Sequence, residues 1–286
     1  MIEVDFTTHP ELYTDYRKAV SFCKAIPDGV KLARHIPFHV QWIGSEIGRM
    51  QAMAIKAFLT SQQLDNTSLT IYTDRVSNNK WTEDIKHLVN FQVYNPRELI
   101  KGTPFEEYQK KPIHWQNTDI MRMVYLSKFG GVHLDMDTCL LRDIAPFLEQ
   151  EFFYTWGIKH EEVAGGLIHL FKDSKVNNAI VHALFSMGDK LGYYRELFSY
   201  VRKDYYFYNL PCAFFNTEWA IMPELYINDQ HFQFIRSPVV KTDFSNELYD
   251  GVFSWHWHNC WKSPIEEGSK WQIVERLVNE KFKKMF

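Results

Sequence analysis

Two pairs of charged residues in one short stretch, Asp119 to Leu141 (DIMRMVYLSKFGGVHLDMDTCLL), have the types and spacing to do chemistry. Asp135 and Asp137 are two residues apart. If the apolar alternation of Val132, Leu134 and Met136 marks a strand, both carboxylates project from its other face beside His133, with backbones about 6–7 Å apart. That spacing suits one hard divalent cation gripped by both, or one carboxylate on the cation and the other on a ligand beside it. Asp119 and Arg122 are three residues apart, so on a helix they share a face. A D-x-D triplet alone is weak, since about one arises by chance in a chain of this length. Its weight comes from the order of the parts: Asp119-x-x-Arg122, then Gly130-Gly131, then an apolar strand, then Asp135-x-Asp137.

The elements that must position these residues can be read on both sides. Ile120, Met123 and Val124 recur at helical spacing, and Gly130-Gly131 stops the helix by taking up left-handed backbone. Upstream, residues 9–26 read as a helix ended by Pro27-Asp28-Gly29, and FHVQWIG, 38–44, as a first core strand. A helix near 47–62 follows, then strand 68–74, a short helix over WTEDIKHL, 81–88, and strand 90–95. Strand, helix, strand, helix, strand predicts a parallel sheet with covering helices and its ligand at the carboxyl ends of the strands. Downstream, 151–158 and 165–171 read as strands joined by a polar loop, Lys159 to Glu162. Asp173 or Ser174 caps a helix to about Met187. A second helix over 193–202, a Tyr-rich loop and a strand at 231–237 follow. SWHWHNCW, 254–261, is dense in aromatic and nitrogen-bearing side chains. Ser263-Pro264 opens a terminal helix. With no repeat and no Pro/Gly linker, residues 1–286 read as a single domain: a ligand-binding half at 34–141, an elaborated half at 142–262 and a helix at 263–286.

Composition narrows the class. A net charge of −3 excludes the basic excess of nucleic-acid binders. Aromatics at 16% of the chain supply flat faces for stacking, although core packing is their commoner use. Cys23, Cys139, Cys212 and Cys260 are scattered with no CxxC, which reads as reduced thiols in a cytoplasmic protein. The first residues carry no signal-peptide pattern, and no apolar run is long enough to span a membrane. Lys281, Lys283 and Lys284 either meet an anionic membrane peripherally or offset the dipole of a packed helix.

Thr118-Asp119-x-x-Arg122, Gly130-Gly131 and His133-Leu134-Asp135-x-Asp137 together resemble the DxD glycosyltransferases of the sugar-binding-region type: yeast mannosyltransferase-like enzymes, bacterial capsular polysaccharide transferases and clostridial glucosylating toxins. The family pattern reads roughly S-D-x-x-R, G-G, Y-L-D-x-D. Here Thr118 stands for the serine and His133 for the tyrosine. Trp42-Ile43-Gly44 matches the family's opening W-I-G, whose tryptophan stacks on uracil in the toxins. His256-x-x-Asn259-x-Trp261 stands where the family has acidic-x-x-Ser-x-Trp. The resemblance is strong over 36–141, weak over 142–250 and moderate over 254–261.

The resemblance implies an α/β GT-A fold, with a Rossmann-like, mostly parallel sheet, flanking helices and an elaborated C-terminal half. It implies a hexosyltransferase of polysaccharide-biosynthesis type that moves sugar from a nucleotide-sugar, a UDP-sugar, to a glycan, lipid-linked or protein acceptor with retention. Mn²⁺ or Mg²⁺ would be held by Asp135, Asp137, His256 and Asn259, a histidine tilting the choice to manganese. Trp42, Asp119, Arg122, Asp135 and Trp261 would hold the donor, and Asp119, Arg122, Asp135 and Asp137 would carry the catalysis. His133, His160 and His258 read as structural, and Asp74 as a loop cap.

Two rivals share the motif. LDMDTCL fits the first motif of haloacid-dehalogenase-type phosphatases, with Asp135 as nucleophile and Mg²⁺. The later acidic pair that machinery needs is missing: Gly188-Asp189 is followed by Tyr193 where the second acid should stand. The other rival is a catalytically silent sugar-nucleotide-binding module.

Overall fold

The computed structural model describes residues 8–76, 78–108, 118–156, 159–187, 201–216, 251–257 and 264–286. Its centre is a seven-stranded sheet. The four strands β1 (Ile36–Trp42), β2 (Thr67–Thr73), β3 (Asn90–Val93) and β4 (Gly131–Leu134) run parallel in the order β3-β2-β1-β4. A short ribbon pairs β5 (Thr138–Leu140) with β9 (Ser254–His256). The large sheet continues through β7 (Lys159–Leu170), antiparallel to β4, then β6 (Phe152–Trp156) and β8 (Tyr208–Leu210). This is the mostly parallel α/β sheet that the sequence predicts.

Helices cover both faces. The described helices are α1 (Glu11–Thr14), α2 (Tyr16–Ala25), α3 (Arg49–Ser61), α4 (Pro96–Ile100), α5 (Thr118–Phe129), α6 (Lys175–Met187), α7 (Cys212–Phe215) and α8 (Lys270–Met285). On one face Ile55, Phe58 and Leu59 of α3 pack on Phe38, Val40, Leu69, Val132 and Leu134. On the other, Met121, Val124 and Tyr125 of α5 pack with Tyr72, Ile168 and Leu170 and with Ile180 of α6. A third cluster joins Trp271, Val274 and Val278 of α8 to Met50 and Met53 of α3 and to Cys139, Trp255 and Trp257. The terminal helix thus backs the β5–β9 ribbon.

Gly131 (φ 93°) shows why the Gly-Gly pair ends α5 as it does. A Cβ there would collide with the Pro37 carbonyl, so glycine lets β4 lie against the start of β1.

The elements depart from the sequence reading in five places. The first helix is broken at Asp15, whose backbone is extended and whose side chain accepts from the N–H groups of Arg17 and Lys18, starting α2 afresh. Residues 81–88 form hydrogen-bonded turns, anchored by Asn79 accepting from Thr82 and Glu83, rather than a helix. Lys159 to Glu162 belong to β7 and are not a loop. The terminal helix begins at Lys270, because Ser269 and not Ser263 supplies the N-cap, accepting from Gln272 N–H at 3.3 Å. The DMD segment is not strand: the β4 ladder stops at Leu134, and Asp135 C=O accepts from Thr138 N–H at 3.0 Å, closing a turn. The second helix at 193–202 and the strand at 231–237 lie almost wholly outside the described residues.

Candidate active site

The site forms where α5, the end of β4, the middle of β7 and the β5–β9 ribbon converge. Asp135 leaves β4 at its carboxyl end, its N–H donating to the Gly166 carbonyl of β7 at 2.9 Å. The turn to Thr138 then swings Asp137 to the mouth of β5. There His256 enters from the other strand: Thr138 pairs with His256, and Trp257 N–H donates to the Asp137 carbonyl at 3.0 Å. His256 Nε2 lies 3.0 Å from Asp137 Oδ1, and Tyr154 Oη lies 3.4 Å from His256 Nδ1. Asp137 and His256 are buried and Asp135 is half-buried.

From the other side, Arg122 of α5 places Nη2 2.7 Å from Asp119 Oδ1 and 3.5 Å from Asp135 Oδ1. Arg122 is buried, whereas the Asp119 side chain is 48% exposed. A buried guanidinium between two carboxylates is compensated, and Asp119 presents its carboxylate to solvent, where a ligand can meet it. His133 Nε2 is 2.9 Å from the same Asp135 oxygen.

These contacts set the charges. Burial alone would raise Asp135, but the Arg122 guanidinium and the His133 hydrogen bond outweigh it and hold the carboxyl well below the usual range. Burial alone would lower His256, yet the Asp137 charge and hydrogen bond, with the Asp135 charge, lift the imidazole above its ordinary value. His133 is lowered by burial, more than its contact with Asp135 restores.

One ligand atom each from Asp135, Asp137 and His256 lie within 4.8 Å of one another. Two carboxylates and an imidazole are a donor set that divalent cations of the Mn²⁺ class accept, so these residues fit such an ion. Structure thus brings together Asp119, Arg122, Asp135, Asp137 and His256. Trp42 stands at the carboxyl end of β1, half-buried, its indole N–H donating to the Glu46 carbonyl at 3.3 Å. Asp74 accepts from Gly44 N–H at 3.3 Å and pairs with Arg75 at 3.4 Å, tying the loops after β1 and β2. Asn259, Trp261, His258 and Cys260 lie outside the described residues.

Three participants escape the sequence reading. His133, which the sequence reads as structural, supports Asp135 through its Nε2. Tyr154 sits in an aromatic strand with nothing local to mark it. Gly165-Gly166, inside a strand pattern, is a recognised sign of close approach.

Comparison with known proteins bears on the same residues. Residues 51–154 match the family model described as a glycosyltransferase sugar-binding region containing a DXD motif. That span includes Asp119, Arg122, Asp135 and Asp137 and does not favour the phosphatase alternative. No curated protein matches the chain. The apo form of the glycosyltransferase GlyE from Streptococcus pneumoniae TIGR4 is similar in structure, with TM-score 0.53 and 9% identity over 88% of this chain and 64% of GlyE. Apo WbbM, a bifunctional glycosyltransferase, gives 0.50 and 8% over 90% of this chain and 53% of WbbM. The PaToxG glycosyltransferase gives 0.44 and 13% over 95% and 97%. This chain spans less than two thirds of the GlyE and WbbM chains, and the likeness is one of fold.

Proposed function

We propose that this chain is a glycosyltransferase of the DXD type, as the family match over residues 51–154 supports, and that it moves a hexose from a UDP-sugar to a glycan, lipid-linked or protein acceptor, with retention of configuration. The observation that carries the reading is the convergence of Asp119, Arg122, Asp135, Asp137 and His256 at the carboxyl end of β4. Asp135, Asp137 and His256, joined by Asn259, would hold Mn²⁺ in preference to Mg²⁺, given the imidazole. Bound there, the cation supplies Lewis-acid neutralisation of the leaving diphosphate.

The protein's own residues do the rest. Asp119, exposed and held by Arg122, accepts hydrogen bonds from the donor sugar's hydroxyls and fixes the anomeric carbon for attack. Arg122 keeps Asp135 ionised at the donor. Trp42 stacks on the base, and Trp261 covers the phosphates. No side chain is nominated as general base.

The one-domain division into a nucleotide half at 34–141, an acceptor half at 142–262 and a terminal helix at 263–286 belongs to the same reading. So does a cytoplasmic setting, which the buried free thiols Cys23, Cys139 and Cys212 support. No described helix is long and apolar enough to cross a membrane. The exposed Met285 and Phe286 beside Lys281, Lys283 and Lys284 leave room for peripheral membrane contact.

The test is a screen of nucleotide sugars for Mn²⁺-dependent hydrolysis and thermal stabilisation. One UDP-sugar should be hydrolysed, and EDTA or Asp137→Ala should abolish that hydrolysis with the fold intact. Full turnover in EDTA would overturn the metal assignment.

A further inference from the structure

The β6–β7 ladder is irregular beside the site. Phe152 pairs with His169 and Tyr154 with Ala164, so two steps along β6 are matched by five along β7. The extra residues make a bulge, the kind of defect that re-aims side chains next to active sites. Gly165 and Gly166 lie in it. Neither has positive φ, so neither glycine is required by backbone conformation. What they lack is a Cβ, and both spaces are taken. A Cβ on Gly165 would collide with Arg122 Nη1 and lie 2.9 Å from Cζ. A Cβ on Gly166 would lie 3.0 Å from His256 Cε1 and 3.1 Å from both His256 Nδ1 and Tyr154 Oη.

We infer that Gly165 and Gly166 are positioning residues for the two halves of the site, the first for Arg122 and the second for His256. The inference rests on the proposed transferase reading for its catalytic consequence, although the contacts stand without it. The Arg122 guanidinium occupies the space over Gly165 on its way to Asp119 and Asp135. With a methyl group there it must withdraw, and both carboxylates lose their cation. The His256 ring is seated between Gly166, Tyr154 and Asp137. A methyl group at 166 displaces the ring by a few tenths of an ångström, away from the geometry that aligns Nε2 with Asp137. One glycine therefore serves the sugar-holding pair and its neighbour serves the metal-holding set.

Double-mutant cycles test this without presupposing activity. Thermal midpoints would be measured for Gly165→Ala and Gly166→Ala, each alone and combined with Arg122→Ala, His256→Ala or Tyr154→Phe. Alanine in a strand with ordinary φ carries no backbone penalty, so any cost comes from the collision. Gly165→Ala should lower the midpoint in the wild-type background and be neutral once Arg122 is alanine. Gly166→Ala should be relieved by His256→Ala, and in part by Tyr154→Phe, but not by Arg122→Ala. Equal costs in every background would overturn the inference.

Two functional measurements complete the test. Mn²⁺ affinity of the donor-free protein should fall about tenfold in Gly166→Ala, the usual cost of disturbing a ligand's support. It should change less in Gly165→Ala, where Asp137 and His256 keep their seating and only the Arg122 contact to Asp135 is lost. For donor hydrolysis, Gly165→Ala should lose roughly a hundredfold in kcat/KM, the usual cost of a misplacement near 1 Å. Identical losses of metal affinity in both variants would overturn the division. If wild type neither binds Mn²⁺ nor hydrolyses donor, the transferase reading fails while the thermal cycles still decide the contacts.

Discussion

Trp42 closes β1 and Asp119 opens α5, and substitution separates their parts in the proposed donor site. Stacking on a base contributes about 1–3 kcal/mol whatever sugar is attached, so Trp42→Ala should weaken UDP and UDP-sugar alike. Asp119→Ala should leave UDP affinity nearly unchanged and reduce the transfer rate, because its exposed carboxylate is proposed to meet the sugar alone. Calorimetry with UDP and with the UDP-sugar, beside turnover, distinguishes them. Equal losses of UDP affinity in both variants would refute the division. At this scale the charged residues were legible because they lie within a few positions of one another, between a helix and a strand that could both be read. Residues two apart meet on one side of a tight turn as readily as on one face of a strand. Asp135 and Asp137 therefore converge although the strand that was to present them ends at Leu134. Tyr154 and the glycines could not be weighed in that way, since they act through residues distant in sequence.

Helix α8 shows what an element contributes beyond its own stability. Trp271, Val274 and Val278 share one buried cluster with Met50 and Met53 of α3 and with Trp255, Trp257 and Cys139, residues of the ribbon that carries Asp137 and His256 and of its continuation. Arg49 of α3 fixes the helix from the side, with two contacts to Glu275 at 2.7 and 2.6 Å and its guanidinium 5.1 Å above the Trp271 ring. Trp271→Ala should cost about 3–5 kcal/mol, as large-to-small core changes do, and weaken Mn²⁺ binding as the ribbon loosens. Ser269→Ala removes only the cap and should cost about 1 kcal/mol with metal affinity kept. Denaturant melts and metal titrations on both variants are the measurements; loss of metal affinity in the cap variant alone would contradict the coupling. Sequence periodicity revealed α8 as an amphipathic helix but could not say what its apolar face covers. It also places the helix start at Ser263-Pro264, ahead of the cap that Ser269 supplies.

For the whole molecule, acid should act first through buried histidines away from the metal set. His39 stacks near Tyr72, Tyr125 and Phe129 and makes a 2.9 Å contact from Nε2 to the Gly130 carbonyl. His169 makes one of 2.7 Å from Nδ1 to the Gln150 carbonyl. Burial lowers both from the ordinary 6.5 to about 4. The unfolded chain therefore binds protons that the folded chain refuses. Their stabilisation is complete above pH 6.5 and is lost as pH falls towards 4, at up to about 1.4 kcal/mol per pH unit for each ring. Denaturant midpoints of wild type, His39→Gln and His169→Gln at pH 7, 5.5 and 4.5 should converge in acid. Parallel curves would show that neither ring matters. The parallel half of the sheet was legible from its strand–helix alternation. In the antiparallel half β6 and the second part of β7 were legible as strands, but the start of β7 was not, because it carries polar residues.

The ribbon joins Asp137 to a histidine 119 residues further along the chain. Such a contact must close a large loop before it is rewarded, so we expect the joint to form after the folding transition state. Interactions made after the folding transition state leave the rate of folding alone and slow unfolding. Saturating Mn²⁺ should therefore lengthen the native state's lifetime, by about a hundredfold at a cation concentration 100 times its Kd, and leave refolding at its cation-free rate. Stopped-flow refolding and unfolding with and without Mn²⁺ measure both limbs. During synthesis the same geometry would act as a clock, because the proposed cation site lacks one of its three ligands until the segment around His256 has been made.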